Sequence, residues 1–255
     1  MIDTHCHLNL CDGDPVEVLQ RAASQGLSTL VQVSTHPDSY HWGVELKKKH
    51  LPLPVHLSAG LYPSEAASGW PEKLQALEKI LAADASIVAV GEAGLDFHWD
   101  QSYIPAQEAM LHAQVELALA HDKPLILHCR NSFDALLSIL EAHRHSSLRG
   151  VWHCFDGTAE QAARMVQLGF YLSLSGIITF KSAGTLRAVV EKLPLEHLLI
   201  ETDSPYLSPA PKRGQKNEPA HVTHVLDGLA QLLGVDRQSL EKKLDDNARR
   251  LFALP

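Results

Sequence analysis

The sequence of this 255-residue chain predicts one α/β domain, residues 1–255, folded as a single (β/α)8 barrel. Eight short apolar segments recur along the chain, and helical periodicity fills most of the stretches between them. The length agrees with this fold class, whose members commonly occupy about 250 residues. In chain order, the predicted strands are residues 2–7, 27–34, 55–60, 87–92, 124–129, 150–154, 170–175 and 197–203.

Helical periodicity marks residues 14–25, 72–82, 106–121, 132–143, 158–168 and 185–193. Gly26 and Gly169 follow two of these segments, at the position where a glycine commonly ends a helix. After the eighth strand, the proline-rich residues 204–219 predict a long loop, and a helical tail is expected from Ala220.

Composition narrows the functional class. The formal net charge of −8 argues against a broad basic surface for long duplex nucleic acid, because non-specific affinity comes mainly from Lys and Arg contacts with phosphates. No segment resembles a membrane span or a signal peptide, so we expect a cytoplasmic protein without a membrane partner or an obligate protein partner. The four cysteines form no CxxC pair, which favours reduced thiols.

Histidine and carboxylate residues lie at the carboxyl ends of five predicted strands. In the first strand, Asp3, His5 and His7 alternate and are expected to share one face. The carboxyl ends of a parallel barrel meet at one face, so we expect the whole set to converge there. A lone histidine is more often structural than a ligand, but burying a whole set of charges unpaired is costly, which favours a metal site. The six candidate ligands are His5, His7, Glu92, His128, His153 and Asp203.

Four imidazoles and two carboxylates are enough ligands for two divalent ions. We expect Glu92 to bridge the ions, with the two first-strand histidines and Asp203 on one ion and His128 and His153 on the other. Such a mixed set accepts zinc, manganese, iron, nickel or, more weakly, magnesium, so the sequence leaves the identity of the metal open.

For other residues near the strand ends, the sequence leaves two roles open. Asp96 either orients a ligand or holds a turn, and Arg130 either contacts a phosphate or forms a salt bridge. A basic cluster in the long loop either binds phosphate or is a solvated charge run: Lys212, Arg213 and Lys216. Three cysteines each lie one position from a candidate ligand, and strand alternation predicts that they face the outer layer: these are Cys6, Cys129 and Cys154.

Six motifs that span nearly the whole chain carry a family resemblance. They are DTHCHL at 3–8, GEAGLD at 91–96, ILHCR at 126–130, WHCFDG at 152–157, ETDSPYL at 201–207 and RGQKNEP at 213–219. In this order they resemble the TatD-like metal-dependent deoxyribonucleases of the metallo-dependent hydrolase superfamily. The resemblance implies a TIM-type barrel, a divalent metal centre on the same six candidate ligands, and hydrolysis of DNA phosphodiester bonds from the 3′ end.

The chain departs from the usual pattern of that family at three positions. Tyr62 stands where a histidine is common, Asn131 where an acid is frequent, and Asp156 where a serine is usual. Tyr62 keeps a hydrogen-bond donor but lacks a group that titrates near neutral pH. The six candidate ligands are unaffected by these departures.

The expected reaction is attack of a metal-activated water on a phosphodiester at a DNA end. Glu92 and Asp203 are the expected catalytic carboxylates, with Asp203 moving the proton and Glu201 in reserve. Expected substrate contacts are Tyr62, Arg130, Arg213 and Lys216. Two alternatives stay open: a superfamily hydrolase that acts on an ester, amide or aminoacyl-tRNA linkage, and a non-catalytic metal-binding barrel.

Overall fold

A computed structural model describes residues 1–255 and contains one eight-stranded sheet. Neighbouring strands are parallel and follow chain order. A parallel bridge between Cys6 and Ser204 brings the first and last strands together. The predicted fold class, a parallel barrel with alternating helices, is confirmed. The strands are β1 (Ile2–Cys6), β2 (Thr29–Gln32), β3 (Val55–Ala59), β4 (Ala89–Asp96), β5 (Leu125–Arg130), β6 (Gly150–Trp152), β7 (Phe170–Leu174) and β8 (Leu198–Ile200).

The α-helices are α1 (Pro15–Ser24), α2 (Pro37–Lys47), α3 (Trp70–Ala83), α4 (Ile104–Ala120), α5 (Phe133–Ala142), α6 (Ala159–Gln167), α7 (Gly184–Val190), α8 (Val222–Leu233) and α9 (Arg237–Phe252). The sequence prediction lacked α2. Only Tyr40, Gly43 and Leu46 of this helix are buried, and its cap is the ring of His36 instead of a hydroxyl or carboxylate, so its sequence signal is weak. None of the helices is long and apolar enough to cross a membrane.

The barrel interior is apolar at one end and polar at the other. Ile2, Val31 and Val151 of the strands pack with Leu251 and Phe252 from the end of α9 in a cluster of 13 buried residues. A larger cluster of 54 buried residues packs the sheet against the surrounding helices. The predicted metal ligands occupy the carboxyl ends of the strands, away from the apolar α9 cluster, so α9 supports the barrel from the opposite end.

A bulge in β1 changes the expected facing of its side chains. One extra residue is accommodated between Asp3 and Cys6 relative to β2, so the simple two-residue alternation fails there. His5 and His7 point to the polar end, but Asp3 does not join them. Its carboxylate instead accepts the backbone N–H of Thr202 at 2.9 Å and the Thr202 hydroxyl at 2.6 Å. Asp3 therefore ties β1 to the segment that follows β8.

Candidate metal centre

Glu92 lies at the centre of the site, and its two carboxylate oxygens face different histidine pairs. Oε2 lies 3.5 Å from Nε2 of His5 and 3.4 Å from Nε2 of His7. Oε1 lies 3.1 Å from Nδ1 of His128 and 3.0 Å from Nε2 of His153. The convergence expected from the fold is therefore observed for residues that are far apart in sequence.

Asp203 completes the side of the site that contains the β1 histidines. Its Oδ1 lies 3.7 Å from Nε2 of His5 and 3.6 Å from Nε2 of His7. Two groups have ligand atoms within 4.8 Å of one another, His5 with His7 and Asp203, and His5 with Glu92 and His153. Buried imidazoles and carboxylates at these separations are a suitable ligand set for a divalent ion such as zinc.

The tautomer of His7 supports this fit. Its Nδ1–H donates to the carbonyl of Val33 at 3.1 Å, so in the neutral ring the Nε2 lone pair points into the site. That nitrogen lies only 3.2 Å from Nε2 of His5. Two imidazole nitrogens and two carboxylates around one small volume suit a cation, because a cation satisfies all four acceptors at once.

Carboxylates behind two of the histidines fix their orientation. Oε1 of Glu201 accepts the backbone N–H of Cys154 at 2.6 Å and lies 3.3 Å from Nδ1 of His153. Asp96 lies 3.1 Å from Nε2 of His128 and also accepts the backbone N–H of His98. Each histidine thus directs its other ring nitrogen to Glu92. For Asp96, both roles left open by the sequence are realised.

Hydrogen bonds that sequence reasoning missed hold β4, the strand that carries Glu92. Gln107 on α4 pairs with both backbone groups of Asp96, at 2.8 and 3.0 Å. The backbone N–H of Glu92 donates to the carbonyl of Ser34 at 2.7 Å, and the hydroxyl of Ser58 donates to the carbonyl of Gly91 at 2.6 Å. A glutamine on a buried helix face was the available signal for Gln107, since a buried amide requires partners.

Burial and neighbouring charges shift the pKa values of the side chains in the site. Burial opposes ionisation of Glu92, but contacts with His153 and His128 outweigh it, so its pKa lies well below the usual range. Burial likewise opposes protonation of His153, but Glu92 and Glu201 raise its pKa well above the ordinary value. Burial, with the nearby His153, lowers the pKa of His5 to about 4. The site is therefore a strongly coupled cluster of acids and imidazoles.

Asp203 is the carboxylate for which burial dominates. Burial raises the pKa of Asp203 to about 7, against the opposing influence of His153 and His7. The sequence predicted a strand that continues to Asp203, but β8 ends at Ile200 and Asp203 lies beyond it with a φ of 54°. This carboxylate lines the cavity above the site and holds a proton near neutral pH when no cation is bound.

A cavity of about 710 Å³ opens above the candidate ligands. Tyr62 and Arg130, two of the expected substrate contacts, line it, and the Tyr62 hydroxyl lies 3.4 Å from both Asp96 and His128. The other two expected contacts do not line it. The guanidinium of Arg213 lies 3.8 Å from the centroid of the Phe180 ring, and Lys216 pairs with Asp12.

The three cysteines beside the candidate ligands, and Asn131, were also singled out in the sequence. Cys6 belongs to the outer apolar cluster, as the alternation predicts. Cys129 packs against the same outer cluster, as the alternation predicts, although it also borders the cavity. Cys154 lines the cavity, contrary to the predicted outward facing. For Cys154 the reason is that β6 ends at Trp152 and the chain turns with a φ of 48° at Cys154. Asn131 adopts a φ of 55°, a left-handed conformation that asparagine tolerates well.

Comparisons with known proteins agree with this geometry. The family model of TatD-related DNases matches residues 2–253. The uncharacterized metal-dependent hydrolase YabD of Bacillus subtilis is 35% identical over 256 residues, covering 100% of this chain and 99% of the relative. The uncharacterized metal-dependent hydrolase YcfH of Escherichia coli K12 is 35% identical over 258 residues, covering 99% of this chain and 95% of the relative.

A solved structure agrees over the full length as well. The crystal structure of YjjV, a TatD homolog from Escherichia coli K12, matches with a TM-score of 0.93 and 34% identity, covering 100% of this chain and 98% of that chain. The phosphotriesterase homology protein of Escherichia coli shares the fold at 15% identity, with a TM-score of 0.72 and 98% coverage of each chain. On this sequence and structural agreement, the chain belongs to the TatD family of metal-dependent hydrolases.

Proposed function

We propose that this protein is a deoxyribonuclease that binds two divalent ions and removes nucleotides from the 3′ ends of DNA. The observation that carries the proposal is the position of Glu92, whose two oxygens each face a separate histidine pair. A carboxylate that bridges two ions about 3.5 to 4 Å apart is a common arrangement in enzymes that cleave phosphodiesters. The description of the matching family, TatD-related DNase, supports the same substrate class.

We assign the ligands of each ion from the two histidine pairs that face Glu92. His5, His7 and Asp203 would hold one ion, His128 and His153 the other, and Glu92 both. Divalent ions there would offset the charge on phosphate oxygens and lower the pKa of an attacking water from near 16 to about 7.

The protein's own residues have separate tasks in this reaction. Asp203 lines the cavity, so its carboxylate is placed to take the proton of the attacking water. Glu201, the expected reserve base, is fully buried and contacts Cys154 and His153, so we assign it the task of orienting the imidazole. Arg130 lines the cavity and is the basic residue placed to contact a phosphate.

The test is hydrolysis after metal depletion and reloading with Zn²⁺, Mn²⁺, Mg²⁺, Ni²⁺ or Fe²⁺. A linear single strand and its covalently closed circular counterpart are compared, together with a panel of carboxylic esters and an aminoacyl-tRNA. The proposal predicts mononucleotides from the linear strand, none from the circle, and loss of activity in EDTA.

A matched pair of histidine variants controls for non-specific effects. His128→Ala should abolish hydrolysis, whereas His112→Ala should retain it, because His112 lies on α4 and contacts His143 outside the site. Cleavage of the circle at a comparable rate would contradict the end-directed reaction. Turnover of the esters without turnover of DNA would assign the protein to carbonyl chemistry instead.

A further inference from the structure

Exposed apolar side chains concentrate at the mouth of the cavity. Four large hydrophobic residues of the chain are exposed, and three of them line this cavity: Trp99 at 65%, Tyr206 at 53% and Leu10 at 47%. The fourth, Val235, lies in the turn between α8 and α9. Exposed aromatic rings beside a polar site are typical of a surface that binds a ligand with a flat apolar face.

The two aromatic residues follow strands on opposite sides of the barrel. Trp99 follows β4 and Tyr206 follows β8, and these strands are four positions apart in an eight-stranded barrel. Both rings line the same cavity as Glu92 and Asp203, so a chain that crosses the cavity passes both rings.

Each ring is placed beside a group of the site. The guanidinium carbon of Arg130 lies 5.3 Å from the centroid of the Trp99 ring, which combines a flat aromatic surface with a positive charge. The Tyr206 ring lies 6.2 Å from that of His7. The backbone of Tyr206 is fixed on both sides: its N–H donates to the carbonyl of Asp203, and its carbonyl accepts the Asn217 amide at 2.6 Å.

We propose that Trp99 and Tyr206 stack on the two unpaired nucleobases that flank the scissile phosphodiester, and that this stacking selects unpaired DNA ends. The inference rests on the proposed function and names the part of the substrate that the protein grips. A nucleobase offers a flat π-face to each ring, and a negatively charged phosphate joins the two bases within reach of Arg130. Bases inside a duplex are already stacked and paired, so they are unavailable to the rings.

The experiment measures binding separately from turnover. A fluorescent single-stranded oligonucleotide with hydrolysis-resistant phosphorothioate linkages is titrated with the metal-loaded protein. A second oligonucleotide carries abasic residues at its last two 3′ positions. Trp99→Ala and Tyr206→Ala should each raise the Kd for the first oligonucleotide by roughly 5- to 150-fold, the range expected for one lost base stack, and leave the Kd for the second unchanged.

Matched variants separate stacking from folding. Trp99→Phe and Tyr206→Phe should keep most of the affinity, and Val235→Ala, which removes exposed apolar surface elsewhere, should bind both oligonucleotides like the wild type. Equal weakening toward both oligonucleotides, or no weakening toward either, would overturn the stacking proposal. If the wild type binds with this base dependence but hydrolyses no DNA, the proposed function fails and the stacking surface stands. If it hydrolyses DNA while both alanine variants bind normally, only the stacking surface fails.

Discussion

Replacement of Asp203 by asparagine is expected to stabilise the metal-free protein as the pH rises. Burial raises the pKa of Asp203 from an ordinary value of 3.8 to about 7, so the folded chain retains a proton that the unfolded chain releases. The stability that this proton contributes is fully present below pH 3.8, decreases as the pH rises toward 7, and is lost above 7. At about 1.4 kcal/mol per pKa unit, the total loss is about 4 kcal/mol.

Asparagine has nearly the shape of protonated aspartic acid and does not titrate, so the variant lacks this pH dependence. The assay is urea unfolding of both proteins in EDTA between pH 5 and pH 8. The free energy of unfolding of Asp203→Asn, minus that of the wild type, should increase by about 3 kcal/mol over this range. Asp38→Asn is the control, because the Asp38 side chain is 91% exposed. A difference for Asp203→Asn that is constant or decreases with pH would refute the reasoning.

Three further predictions concern the ligands and their supports. His128→Ala should lower bound metal by about one ion per chain while Cys129→Ser leaves it intact, as metal analysis of the purified variants will test; equal loss would make the thiol a ligand. Glu201→Gln should weaken metal binding by roughly 10- to 100-fold in a competition titration, because the imidazole that it orients loses a carboxylate partner; unchanged affinity would remove this role. Gly94→Ala should lower the free energy of unfolding, measured in urea, by at least about 2 kcal/mol. The reason is that Gly94 has a φ of 139° and that a Cβ added there would lie 2.0 Å from a β5 carbonyl oxygen. Gly184→Ala is the control and should change the free energy of unfolding by less than about 1 kcal/mol, because the space around the added Cβ is open.

The sequence predicted the barrel and the set of six converging residues because both depend on strand order. Glu92 and His128 are far apart in sequence, yet a parallel barrel places the carboxyl ends of their strands at the same face. Strand order does not predict local departures from regular strand geometry. The bulge in β1 turned Asp3 away from the site, and the left-handed conformation at Cys154 brought that side chain to the cavity.

Residues that act from loops or outer helices were harder to predict. Trp99 and Tyr206 belong to no periodic pattern, so nothing in their spacing pointed to the stacking surface that we propose. Glu201 and Asp203 lie two positions apart, and only their surroundings separate them: Glu201 is fully buried against the backbone of Cys154, whereas Asp203 lines the cavity. Burial and partners decide which carboxylate orients a ligand and which can accept a proton, and a linear pattern contains neither.

The position of bound metal tests the central proposal most directly. Crystals of the protein loaded with Zn²⁺ or Mn²⁺ should give two anomalous peaks about 3.5 to 4 Å apart, one on each side of the Glu92 carboxylate. One peak should lie within coordination distance of His5, His7 and Asp203, and the other within coordination distance of His128 and His153. A single peak at full metal saturation, or two peaks that Glu92 does not bridge, would contradict the proposed two-ion centre.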